Sequence, residues 1–131
     1  MDVPRSLRRW FVVHFAADLL FAVPLLIAPV ATLRMLGWST VDPVATRLVG
    51  AALLAIGTQS LVGRNASLEA YRALLGLKSL WSASAIVALA LSLAEGAPPI
   101  TAGLLAIFVG FAVVWNYYRL RLRPRTPAAP G

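Results

Sequence analysis

The sequence predicts an all-α fold, an integral membrane four-helix bundle with a short interfacial helix after the first span. Three observations predict it. Hydrophobic residues are 60% of the 131 and charged residues 13%, against about 25% charged in soluble domains. Four apolar stretches each reach the ~20 residues that a helix needs to cross a ~30 Å hydrocarbon layer. The cations gather at the chain ends and in one loop, as the bias of Lys and Arg toward the cytoplasmic side requires. A chain this short makes one domain at most, and a soluble fold of its size would still expose much of its surface, so lipid is the remaining solvent.

The first span is expected from Trp10 to Pro29, after Arg5, Arg8 and Arg9. A basic start before an apolar run also suits a signal peptide, but His14 and Asp18 interrupt the run and no A-x-A site closes it, so it reads as a retained helix. Pro24 removes one backbone hydrogen bond and kinks this helix, and Pro29 ends or restarts it. Val30 to Trp38 suits a helix at headgroup level, with Leu33, Met35, Leu36 and Trp38 on lipid and Arg34 in water.

The second span runs over 43–62, opened by Asp42 as a cap and Pro43 in the first turn. Arg64 and Asn65 close it. Ser67, Leu68 and Glu69 open the third span, 68–93, and Glu95, Gly96, Pro98 and Pro99 turn the chain into the fourth, 100–118. The single domain therefore covers 1–125, and 126–131 reads as a disordered tail.

Nine of the 12 Lys and Arg residues (Arg5, Arg8, Arg9, Arg64, Arg72, Arg119, Arg121, Arg123 and Arg125) fall on the side shared by both termini and the middle loop. Both termini are thus expected in the cytoplasm. The excess of Arg over Lys and the abundance of Ala fit a GC-rich prokaryote, which makes the expected location a prokaryotic cytoplasmic membrane. The net charge of +7 reads as an orientation signal and not as a nucleic-acid surface. Anionic headgroups are the expected partners of the Arg-rich ends, and a second copy or a larger membrane complex is the expected protein partner.

Charged groups at bilayer depth are costly unless paired or hydrated, so they head the list of site candidates. Helical rise places Asp18 about 2 Å and Lys78 about 4 Å to the cytoplasmic side of mid-membrane. Sharing a depth, they are expected to form a buried ion pair between the first and third spans, which either fixes packing or serves a ligand or a proton. His14 lies one turn before Asp18 on the same face, where it either joins a proton relay or acts as an interfacial donor. Arg47, Gln59, Trp81 and Asn116 are candidate cavity lining. Arg47 has three options, which are snorkelling, pairing with Asp42 and competing with Lys78 for Asp18. Gln59 and Asn116 serve equally for bonds between helices, and Trp81 for a core aromatic.

Gly50 with Gly57, and Gly103 with Gly110, stand seven apart on one helix face and allow close helix approach. Trp10, Trp38, Trp115, Tyr117 and Tyr118 fall near span ends, as interfacial belts do. One histidine and no cysteine leave no metal cluster and no bis-imidazole haem, so no metal and no cofactor are expected. A single deep carboxylate, serines without a partnered base and the lack of a Gly-rich phosphate loop speak against an independent enzyme.

In size, span count and the place of Asp18 in the first helix, the chain resembles the small multidrug resistance exporters, which exchange protons for cationic drugs at one membrane-embedded acid. It departs from them in carrying Asp where they carry Glu, and in having a buried Lys. Arg47-Leu48-Val49-Gly50 through Gly57 on the second helix also resembles the DoxX-like group of small bacterial membrane proteins, which implies a four-helix architecture. Two function classes follow. One is a non-catalytic bundle that packs with a partner or with itself around an Asp18–Lys78 pair. The alternative is a small-ligand or proton-coupled binding or transport module with a cytoplasm-facing polar cavity.

Overall fold

A computed structural model describes residues 2–124; Arg125 and the tail expected at 126–131 lie outside them. Among the described residues the chain is all-helical, with α1 over Arg5–Ile27, α2 over Pro29–Met35, α3 over Pro43–Val62, α4 over Leu68–Ala94 and α5 over Ile100–Arg121. A single 3₁₀ turn, Gly63–Asn65, follows α3. The four long helices are each apolar and long enough to cross a membrane.

The helix ends follow from local chemistry. Asp42 Oδ1 accepts from the amides of Val44 at 2.8 Å and Ala45 at 3.1 Å, and Ser67 Oγ accepts from Ala70 N at 3.3 Å, so both expected caps are made. Pro24 lies inside α1, and its carbonyl accepts from Ala28 N at 2.9 Å and Thr32 Oγ1 at 3.0 Å. That bond ties α2 back to the end of α1. Gly37, at a φ of +108°, then turns the chain away from α2 in a conformation that other residues adopt only with strain.

Several boundaries differ from the expected ones: α1 ends at Ile27 and not at Pro29, α2 covers Pro29–Met35 and not Val30 to Trp38, and α4 ends one residue later. α1 begins at Arg5 and not at Trp10, because nothing between Pro4 and Trp10 breaks a helix and the Pro4 carbonyl accepts the first amide bonds. α5 runs past Tyr118 to Arg121, where Arg119 and Arg121 in the last turn complement the negative end of the helix dipole.

α1 packs along α3, and α4 along α5. The buried residues of α1 (Leu7, Phe11, His14, Asp18, Ala22, Leu25) and of α3 (Thr46, Gly50, Leu53, Gly57, Ser60) recur at intervals of three and four, the seam of helices crossing at a shallow angle. Glycine makes that seam tight. A Cβ on Gly57 would stand 2.7 Å from Asp18 Cβ, and one on Gly50 would stand 3.0 Å from Leu26 Cγ. Gly103 and Gly110 have nothing within 4 Å. The close approach expected from them is therefore absent among the described residues, and they lie on the outer face of α5.

Large side chains fill the space between the two helix pairs at the end that carries the termini. Leu7, Phe11, Tyr71, Leu75, Trp115, Tyr118 and Leu122 form one buried cluster there. Polar stitches surround it: Tyr118 Oη donates to Ser6 Oγ at 2.7 Å, Arg72 Nε to Leu122 O at 2.7 Å, and Arg8 Nη1 to Asn65 Oδ1 at 3.1 Å. This corrects the expectation that Trp115 and Tyr118 belong to an interfacial belt, since Trp115 is 0% and Tyr118 5% exposed. Their position near a span end is right, but the inward face of α5 turns them into the core. Trp10 and Tyr117 are exposed.

The seam gives a direct test. Gly57→Ala must push Asp18 aside, so it is expected to destabilise by about 1–3 kcal/mol, the usual cost of overpacking. Gly110→Ala meets open space and leaves stability unchanged or slightly raised. Thermal unfolding of the purified variants in detergent measures both, and equal Tm values for the two would refute the close fit.

Candidate functional site

A layer of polar side chains crosses the bundle just beyond the aromatic cluster. α1 supplies His14 and Asp18, one turn apart; α3 supplies Ser60, and α4 supplies Lys78. All four are buried, with exposures of 3% for His14, 7% for Asp18, 0% for Ser60 and 2% for Lys78. Buried polar groups are tolerated only when bonded to one another, and the contacts here are close. Lys78 Nζ donates to Ser60 Oγ at 2.5 Å and lies 3.2 Å from His14 Nδ1. Ser60 Oγ in turn donates to the Ile56 carbonyl at 2.9 Å. His14 Nδ1 is also 3.0 Å from Asp18 Oδ2 and 3.3 Å from Ser60 Oγ.

Asp18 and Lys78 therefore do not meet directly. The ion-pair partner of Asp18 is His14, and the ammonium of Lys78 reaches the same ring nitrogen. The reason is steric: Gly57 lets Asp18 tuck against α3, while Lys78 arrives from α4 and meets Ser60 and His14 first. The rings of Phe11 and Trp115 lie 5.0 Å and 5.1 Å from Nζ, within the range in which an aromatic face attracts a cation. His14 is itself wedged edge-on against Phe111 at 4.7 Å and Trp115 at 5.1 Å.

Ser60, His14 and Asp18 are the residue types of a hydrolytic triad, but the geometry opposes one. A triad uses one ring nitrogen for the hydroxyl and the other for the carboxylate. Here both lean on Nδ1, and Ser60 is fully buried, away from the cavity described next.

On the side of the polar layer away from the termini, the two helix pairs part around a cavity of 340 Å³. His14 and Asp18 form its floor. Phe21, Leu25, Leu53, Phe108 and Phe111 line its sides, with Leu33, Leu36 and Trp38 from α2 and the turn after it at the far end. Leu36 and Trp38 also wall a second, more polar hollow that holds Ser39, Thr40, Ser92 and Glu95. Trp81 is in the cavity wall as well, with its ring 6.3 Å from that of Phe108.

Buried side-chain atoms without a hydrogen-bond partner number five among the described residues, and two belong to cavity-lining groups, Asp18 Oδ2 and Trp81 Nε1. The contact of Asp18 with His14 is close, yet no donor is aligned on that oxygen. Such groups are rare in folded proteins and mark a place where a partner belongs.

Three sequence candidates lie elsewhere. Arg47 is exposed and donates from Nε to Leu26 O at 3.2 Å, bonding neither Asp18 nor Asp42. Gln59 is exposed on α3, and exposed Asn116 donates to the Ala112 carbonyl of its own helix at 2.8 Å. Neither lines the cavity. Sequence reading missed Ser60 and Phe111. Ser60 was within reach, because Thr46, Gly50, Leu53, Gly57 and Ser60 form one stripe at helical spacing. Phe111, one apolar residue in an apolar helix, carries no such signal.

Comparison of the chain with protein-family models, curated proteins and solved structures finds no match.

The polar layer makes its own prediction. Asp18→Asn or Lys78→Met alone strands a buried charge and is expected to cost about 3 kcal/mol, and the double variant regains most of that loss. Unfolding in detergent reads it out; losses that simply add would mean that the two residues do not share a site.

Proposed function

We propose that this chain is a membrane-embedded binding protein that holds one small, mostly apolar molecule in the cavity between its helix pairs. The observation that carries this reading is the cavity with two buried, unpartnered polar atoms on its lining residues, an acceptor on Asp18 and a donor on Trp81. Its volume of 340 Å³ falls within the ~300–1,000 Å³ of small-molecule sites.

Native mass spectrometry of the protein released from lipid nanodiscs tests the reading. The wild type is expected to carry a bound small molecule or lipid-derived species, and Leu53→Trp, which fills the cavity with a ring, is expected to lose it. Identical adducts on both proteins would sink the proposal.

A non-catalytic role in a larger membrane assembly or in a self-associated bundle is the second reading. It draws on the outer face of α5, where Gly103 and Gly110 are exposed with nothing near them. The two roles are compatible, because the cavity faces inward.

The charge pattern supports insertion in a prokaryotic cytoplasmic membrane with both termini inside. The chain has no cysteine, so single introduced thiols report topology cleanly. Ser39→Cys in intact cells is expected to react with an impermeant maleimide, and Asp2→Cys only after permeabilisation; the opposite pattern would invert the topology.

A further inference from the structure

We infer that the ligand of this cavity is electrically neutral and ends in a hydroxyl or amide N–H group that donates to Asp18. This rests on the binding reading above and adds the charge and the polar group of the ligand.

Charge balance comes first. The floor already holds one acid and one base, Asp18 and Lys78, joined through His14. With Asp18 ionised, Lys78 an ammonium and the imidazole neutral, the set sums to zero. Asp18 is the charged residue among the described lining residues, and Lys78 stands behind it, reached through His14. A cationic ligand would leave the site with an unbalanced positive charge, and an anionic one with a negative charge, between walls of Leu, Phe and Trp. Unbalanced charge in such surroundings is strongly disfavoured. A neutral ligand avoids the penalty.

Hydrogen-bond arithmetic then chooses the polar group. His14 Nδ1 has one position to share among Lys78, Ser60 and Asp18. When it accepts from the ammonium of Lys78, it has no proton for Asp18, and Oδ2 stays without a donor. Oδ2 has no exposed surface of its own, so a ligand O–H or N–H answers the under-bonded carboxylate from the part of Asp18 that lines the cavity. An ether or an ester lacks that donor and would leave the acceptor unfilled, which is the costly case.

Size and walls set the remainder. Dividing 340 Å³ by the ~30 Å³ share of a water molecule gives room for roughly eleven water-sized groups. The ligand is a short apolar alcohol, phenol or amide.

Matched alkyl probes test the assignment in lipid nanodiscs by titration calorimetry. Decanol, methyl nonyl ether, decylammonium and decanoate have similar length and differ in charge and donor. Empty nanodiscs and nanodiscs with Leu53→Trp correct for partition into lipid. Decanol is expected to bind saturably and about tenfold or more tighter than the ether, with decylammonium and decanoate weaker than decanol. Lys78→Met should turn the preference toward decylammonium, and Asp18→Asn toward decanoate. If either variant does not fold, the wild-type ranking decides alone. A wild type that prefers either ion or the ether, or folded charge variants that keep the wild-type ranking, would overturn the inference and leave the cavity reading in place. Probe heats that match empty nanodiscs, or that survive Leu53→Trp, would remove both.

Discussion

The absence of a side chain at Gly57 decides where everything else in the polar layer lies. With no Cβ there, α1 comes close enough for Asp18 to rest on the backbone of α3, 2.7 Å from the point a Cβ would occupy. That contact fixes the rotation of α1, and His14, one turn back on the same face, is carried to Ser60. Lys78 then completes the layer from α4. Close helix approach through glycine is usually discussed as a packing device, but here it also positions a carboxylate.

The layer divides the bundle into unlike halves. Toward the termini, Phe11, Tyr71, Trp115 and Tyr118 hold the helix pairs apart and fill the gap they create. Away from the termini, the corresponding core is Ala22, Leu25 and Leu53. Helices are stiff, so a separation set by aromatic rings at one end persists at the other, where smaller side chains cannot fill it. The cavity is the result. It therefore lies beyond the polar layer, on the opposite side from the cytoplasm-facing cavity that the depth of Gln59 and Asn116 suggested.

Much of the fold is legible in the sequence, because its causes are local. Length of apolar run, the Asp42 and Ser67 caps, Pro24 and Pro29 are each decided within a few residues of chain, and the helices follow them. The site is less legible. Depth alone brings Asp18, His14 and Lys78 to one level, and they do share it. Depth says nothing about rotation, and rotation separates His14 from Gln59 and Trp115 from Tyr117. The periodic stripe on α3 holds that information for Ser60, whereas the weakly patterned α5, apolar on every side, hides which of its aromatics face inward. The long helices carry apolar residues on their outward and inward faces alike, so the contrast that reveals faces in water-soluble helices is lost.

The same loss of contrast explains why an acid–base pair is informative in this chain. In water, a surface ion pair contributes little and could be replaced without consequence. Between apolar helices, each charge must be answered nearby, and here the answer is incomplete: Lys78 has Ser60, His14 and two aromatic faces, while Asp18 has one ring nitrogen already in contact with Lys78. Further hydrogen bonds from the protein to the carboxylate would close the account and leave a purely structural pair. Instead the less satisfied member is the one that lines the cavity. The asymmetry between the two partners, more than the presence of charge, is what the proposed binding role rests on.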